Sequence, residues 1–184
     1  MHLEIVIAAL GGQGALTAGE LLAIAGMQHG LNVTNTPVYS PEVRGGSSNA
    51  FVVLSTKPIG SMMANTPNQG IFLCRQGLER VAATLVDGAR AVYNSTLIPP
   101  ALMRTEGLET VAIPATELAE DVVGDVRTAN MVALGAFTVL EPSVPLEWLI
   151  EALPTLLGAR RMGFLDVNVA ALRCGAGEAA KVVA

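Results

Sequence analysis

The stretch Leu3-Glu4-Ile5-Val6-Ile7-Ala8-Ala9-Leu10-Gly11-Gly12-Gln13-Gly14-Ala15 decides the fold class. Its first eight residues are nearly continuous in apolar character, as a strand buried on both faces requires. Gly11, Gly12, Gln13 and Gly14 break that run. From residue 15 to 29, Leu16, Gly19, Leu22, Ala23 and Met27 recur near helical spacing, and Gly30 is the residue that stops the helix. Residues 31–36 form the next strand. A strand, a tight turn, a helix and a strand together predict a parallel pair joined by a right-handed crossover.

The same reading extends along the chain. Residues 36–49 show no periodicity. Pro37, Pro41 and the pair Gly45-Gly46 mark an ordered irregular loop. Further strands are expected at 50–55, 70–74, 89–93 and 110–113. Helices are expected at 76–85, 115–123, 129–140, from Pro145 as a first-turn residue through 157, and from 163 to 174 or beyond. Strands interleave with helices early, and helices dominate late. This predicts an α/β protein: one three-layer α/β/α domain over residues 1–184, with a mostly parallel or mixed sheet and a helical C-terminal part.

Composition narrows the function. The 184 residues hold 11 Lys and Arg against 16 Asp and Glu, for a net charge of -5. A nucleic-acid binder needs a basic face, so this balance argues against that class. Hydrophobic residues make up 51% and charged ones only 15%, where about 25% charged is usual. A surface so short of charge predicts cover by partner chains, or a homodimer when the chain is isolated. The uncharged stretches are interrupted by glycines and polar residues, so no membrane span is expected. Glu4 stands where a secretory leader would be basic, which points to the cytoplasm. Cys74 and Cys174 are too few for a disulfide framework or for an iron–sulfur cluster. They read as small buried or half-buried thiols.

Three motifs could carry chemistry. The turn of Gly11, Gly12, Gln13 and Gly14 lies between a strand and a helix, where backbone N–H groups and the helix N-terminus favour an anion. Thr17 could add a hydroxyl from the first turn. No Lys follows, and the spacing is not GxGxxG, so neither NTP hydrolysis nor standard dinucleotide binding is supported. Phosphate binding and a tight packing turn both account for these glycines. The second motif runs from Tyr39 to Ser48, with Arg44 as its one cation. Arg44 either pairs with Glu42 or caps a carbonyl, or it shapes a ligand site or interface. The third is Val126-Arg127-Thr128-Ala129-Asn130-Met131-Val132-Ala133-Leu134-Gly135-Ala136. There Ala129, Val132, Ala133 and Ala136 share a helix face that admits a close neighbour, which reads as core packing, and Asn130 near the helix start is the residue that could instead point at a ligand or partner.

What is missing matters as much. His2 and His29 have no metal-ligand spacing around them, and His29 reads as a cation near a helix C-terminus when protonated. No GxSxG elbow is present, and Glu120 and Asp121 read as a solvated helix face. No catalytic residue and no metal ligand is therefore assigned. An isolated chain of this kind is expected to be inactive.

The ordered set of Gly-Gly-Gln-Gly after the first strand, Tyr39-Ser40-Pro41-Glu42-Val43-Arg44-Gly45-Gly46, Lys57-Pro58-Ile59, Pro114-Ala115-Thr116-Glu117 and Asn130-Met131-Val132-Ala133-Leu134-Gly135-Ala136 resembles the gamma subunit of 2-oxoacid:ferredoxin oxidoreductases. That family acts on pyruvate, 2-oxoglutarate and 2-ketoisovalerate. The resemblance implies an accessory subunit of an enzyme that decarboxylates a 2-oxoacid on thiamine diphosphate and makes an acyl-CoA. It places thiamine diphosphate on alpha and beta partner subunits, and iron–sulfur clusters on beta or a delta subunit, with ferredoxin as acceptor. It makes Gly11, Gly12, Gln13, Gly14, Thr17 and Arg44 candidates for a coenzyme A contact. A free-standing nucleotide- or phosphate-binding module, or a scaffold subunit that binds no ligand, are the alternatives.

Overall fold

A computed structural model describes residues 1–39, 46–103 and 106–183. The chain runs β1 (His2–Leu10), α1 (Ala15–Gln28), β2 (Asn32–Tyr39), β3 (Ser47–Ser55), β4 (Gln69–Phe72), α2 (Arg75–Val81), β5 (Arg90–Asn94), β6 (Glu109–Ile113), α3 (Ala115–Glu117), α4 (Ala129–Leu140), α5 (Leu146–Arg161) and α6 (Leu165–Val183). The six strands form one mixed sheet in the order β2-β3-β1-β4-β5-β6. β4, β5 and β6 extend the sheet parallel to β1, while β3 pairs antiparallel with both β1 and β2. One row crosses the whole sheet as Pro37, Ala50, Ile7, Ile71, Val92 and Val111.

β1 is the hinge of the core because its side chains alternate between two apolar layers. Leu3, Ile5, Ile7 and Ala9 face the layer built by α1, α4, α5 and α6. Val6 and Ala8 face a thinner layer built by α2 with Leu85, Ile98 and Met103. The result is the expected α/β/α arrangement, with two unequal helical layers. α4 is buried nearly all round, from Asn130 to Thr138. It meets α6 where Gly135 lies against the Leu172 carbonyl and Gly175 against the Val132 carbonyl. At the amino end of the sheet, Gln69 Nε2 donates to Glu141 Oε2 at 2.8 Å. Arg90 bridges Glu109 at 3.0 Å and Glu141 at 3.3 Å.

Several expectations are corrected. β1 and β2 are not a bonded parallel pair, because β3 returns between them. The irregular loop expected at 36–49 is strand at both ends, with β2 reaching Tyr39 and β3 starting at Ser47. Pro37 is accommodated because β2 is an edge strand, where a missing N–H costs no ladder bond in the sheet interior. The helix expected at 76–85 is shorter, giving way to a 3-10 turn at Ala82–Thr84. The one at 115–123 is a single α turn that widens into a π turn, Leu118–Val123. Pro145 is the cap before α5 rather than its first helical residue. α5 continues past Leu157 to Arg161 through a break at Gly158, where φ is 58°. α6 starts at Leu165 rather than Gly163. No described helix is long and apolar enough to cross a membrane.

Candidate functional site at the carboxyl ends of the strands

In an open α/β sheet, the crevice for a ligand opens where neighbouring strands send their helices to opposite faces. Here that point lies between β1 and β4. α1 leaves β1 on the thick layer, and α2 leaves β4 on the thin one. The glycine turn sits at this point.

The turn closes on itself. Gln13 N–H donates to the Leu10 carbonyl at 3.1 Å, and Leu10 N–H donates to Gln13 Oε1 at 2.8 Å. Gly11 N–H donates to the Gly46 carbonyl at 2.8 Å, tying the turn to the start of β3. Gly12 and Gly14 take φ of 94° and 79°, left-handed values that glycine adopts without cost. Gly14 caps α1 with no side-chain hydrogen bond. Among the described residues, none accepts from the N–H groups of Gly12, Gly14, Ala15, Leu16 or Thr17. These donors, with the partial positive charge of a helix start, are what an anion needs.

Two hollows adjoin the turn. One, of about 220 Å³, is mostly apolar and is lined by Leu73, Leu97 and Val126 with Gly12, Asn94 and Thr116 among others. Its floor is braced by Asn94, whose Nδ2 donates to the Leu73 carbonyl at 3.2 Å and to Thr116 Oγ1 at 2.9 Å. The other, of about 270 Å³, is more polar and is lined by Gly12, Gly14, Thr17, Asn130 and Asn168 with Phe164 among others. Gly12 and Arg127 border both. Arg127 Nη2 lies 2.6 Å from Asp125 Oδ2, and its Nε donates to Oδ1 at 2.8 Å. The side-chain hydrogen bonds from Arg127 are the main cause holding the Asp125 carboxyl below its usual range. Slight burial opposes them, while the Arg127 backbone N–H and charge add to them.

The structure brings Gly12, Gln13, Gly14 and Thr17 to the cleft and spends the Gly11 N–H on the Gly46 carbonyl just before β3. Arg44 and its neighbour Glu42 lie outside the described residues. Asn130 joins the site through its amide, which donates to the Gly14 carbonyl at 3.1 Å. The sequence shows Arg127 inside the third motif without giving it a role, and Asp125, Phe164 and Asn168 carry no sequence assignment. The Asp125-x-Arg127 pair just ahead of a helix was the available signal, since a cap carboxylate beside a guanidinium forms a local fork. Elsewhere, His29 stacks on Trp148 with ring centroids 4.1 Å apart and comes within 3.2 Å of Glu151, at the end of α1 far from the turn. Glu120 and Asp121 are exposed. Among the described residues, no three His, Cys, Asp or Glu side chains gather as a metal site requires.

Fold and cleft thus define a class: an α/β domain with an open glycine turn at the carboxyl edge of its sheet. The chain belongs to the pyruvate ferredoxin/flavodoxin oxidoreductase family, whose model matches residues 4–178. It is 33% identical over 177 residues to the ketoisovalerate oxidoreductase subunit VorA of Methanothermobacter thermautotrophicus. That match covers 95% of this chain and 36% of VorA, so the chain spans about a third of that relative's length. Its fold matches the gamma subunit of a keto/oxoacid ferredoxin oxidoreductase from Geobacter sulfurreducens, with TM-score 0.82 and 26% identity over 97% of this chain and 99% of that one. A 2-oxoglutarate:ferredoxin oxidoreductase from Magnetococcus marinus, solved with 2-oxoglutarate, coenzyme A and succinyl-CoA bound, shares the fold at TM-score 0.84 and 24% identity. The match covers 98% of this chain and 31% of that one.

Proposed function

We propose that this chain, folding as one domain over residues 1–184, is the gamma-type subunit of a multi-subunit 2-oxoacid:ferredoxin oxidoreductase. On this reading it completes the assembly and holds part of coenzyme A in the cleft. The complex works in the cytoplasm, decarboxylates a 2-oxoacid oxidatively, delivers electrons to ferredoxin and releases an acyl-CoA. Thiamine diphosphate belongs to alpha and beta subunits, and the iron–sulfur clusters to beta or a delta subunit. The two free thiols of this chain fit that division, since a cluster takes about four thiolates.

One observation carries the coenzyme A reading. The N–H groups of Gly12 and Gly14, with the first turn of α1 and Thr17, face a cleft at the strand ends and find no acceptor among the described residues. A phosphate oxygen supplies the missing acceptor, and a helix start carries about +0.5 of a charge toward it. The test is kinetic. In a complex assembled with Gly12→Val, the KM for coenzyme A should rise roughly ten- to a hundredfold, the loss of one charge-assisted hydrogen bond. A normally assembled variant with unchanged coenzyme A dependence would make the loop a packing turn only.

A further inference from the structure

The glycine turn offers backbone donors and no charged side chain. Arg127 is the one cation among the described residues that line the two hollows, and it borders both. Three contacts fix it. Its Nε and Nη2 donate to the two oxygens of Asp125 at 2.8 and 2.6 Å. Its guanidinium carbon lies 5.6 Å from the centroid of the Phe164 ring. Its own backbone N–H donates to Asp125 Oδ1 at 3.0 Å, which locks the carboxylate to the turn leading into α4.

A guanidinium carries five N–H donors in a rigid plane. The Asp125 fork occupies the side edge made by Nε and Nη2. The end-on edge made by Nη1 and Nη2 has no acceptor among the described residues, and the side chain is 72% exposed. That edge matches two oxygens of one phosphate. The Asp125 charge cancels much of the long-range field of Arg127. The contribution left is short-range and directional, which favours recognition over steering. A side chain already held in one orientation also has less freedom to lose on binding.

Resting on the coenzyme A reading above, we propose that Arg127 is the specificity-determining residue for the phosphate-bearing part of the thiol cosubstrate. Asp125 and Phe164 are its positioning residues. The Gly12 and Gly14 amides receive phosphate from the backbone side, and Arg127 closes on it from the α4 side.

The experiment uses the assembled complex and two thiols, coenzyme A and pantetheine, which has the same reactive end and no phosphate. The wild type should show a lower KM for coenzyme A than for pantetheine. Arg127→Gln should raise the coenzyme A KM roughly ten- to a hundredfold and leave the pantetheine KM where it was. Arg127→Lys should recover part of the loss, because an ammonium restores charge but not the fork. Asp125→Asn should raise the coenzyme A KM by a smaller factor.

If Gly12→Val raises the coenzyme A KM and Arg127→Gln does not, the role of Arg127 is overturned and the glycine-turn reading stands. If neither variant changes it, or the wild type treats both thiols alike, both readings fall. An equal rise for both thiols in Arg127→Gln makes Arg127 merely structural. A lower coenzyme A KM in Asp125→Asn shows that Asp125 competes for Arg127 and overturns its positioning role.

Discussion

The side-chain amide of Asn130 donates to the main-chain carbonyl of Gly14 at 3.1 Å, joining positions 116 apart in sequence. That carbonyl also accepts Ala18 N–H at 3.0 Å inside α1. The start of α4 and the start of α1 therefore share one oxygen, and Asn130 is buried. Asn130→Ala should lower stability by about 1–2 kcal/mol, seen as a lower urea midpoint at unchanged slope. Asn130→Asp should be at least as damaging, since a carboxylate cannot donate to a carbonyl. An Asn130→Asp variant as stable as the wild type would rule out the donated bond.

Gly12 and Gly14 should respond differently to alanine. Both have positive φ, but a Cβ at Gly12 meets nothing within 4 Å, while one at Gly14 would come within 2.5 Å of Asn130 Nδ2. Gly12→Ala should cost only the left-handed strain, about 1 kcal/mol. Gly14→Ala should cost that and the Asn130 contact as well, about 2–3 kcal/mol in total. Thermal melts of the two single variants decide it, and equal losses would show that the Asn130 contact relaxes freely.

The α4–α6 crossing should not tolerate a methyl group. A Cβ on Gly135 would run into the Leu172 carbonyl, and one on Gly175 into the Val132 carbonyl. Neither backbone can move like a flexible side chain, so each Gly→Ala change should cost about 3 kcal/mol or more. Once one variant has pushed the helices apart, the second should cost less than its single value. Circular-dichroism melts of both single variants and the double one check this. Full additivity would place the two glycines at independent contacts.

The two thiols should react unequally. Partial burial, then the charge of Glu178, push the Cys174 thiol up from its ordinary value, and Lys181 pulls it back only in part. The folded chain thus favours the neutral thiol. Its contribution to stability is whole below the ordinary thiol range and is lost as pH rises through the raised folded value. Iodoacetamide should label Cys174 more slowly than an unstructured peptide thiol near neutral pH, with the gap closing as pH rises. Cys74 is buried, and its Sγ accepts Gly77 N–H at 3.3 Å, so it should label only on unfolding. Rapid labelling of Cys174 near neutral pH would contradict the raised thiol.

The first strand and turn were legible because Leu3 to Leu10 and the glycines state their structure locally. The place of β3 was not. The run Ala50-Phe51-Val52-Val53-Leu54 suits a buried strand of either direction, and nothing local in it says that it will lie between β1 and β2. Pro37 read as a breaker because the edge position that tolerates it comes from sheet order. The glycine turn was visible as a candidate anion site. The placing of Arg127 beside the same hollows as Gly12 was not, because the two meet only after β4, β5 and β6 have formed between them in the chain. The same distance hid the use of Asn130, whose partner lies at the start of α1.

The interposed β3 also governs how the chain can be made. Adjacent strands sit about 4.8 Å apart, so β1 and β2 finish two such spacings from each other with a gap that only β3 fills. Synthesis delivers them in the order β1, α1, β2, β3. Until β3, beginning at Ser47, has left the ribosome, β1 and β2 have no bonded neighbour in the native register. The row Leu3, Ile5 and Ile7 then has only α1 to lean on. A nascent chain paused before Ser47 has β1 and β2 without the strand that lies between them. Translation through β3 is the moment at which β1 and β2 first acquire the strand that bonds them both.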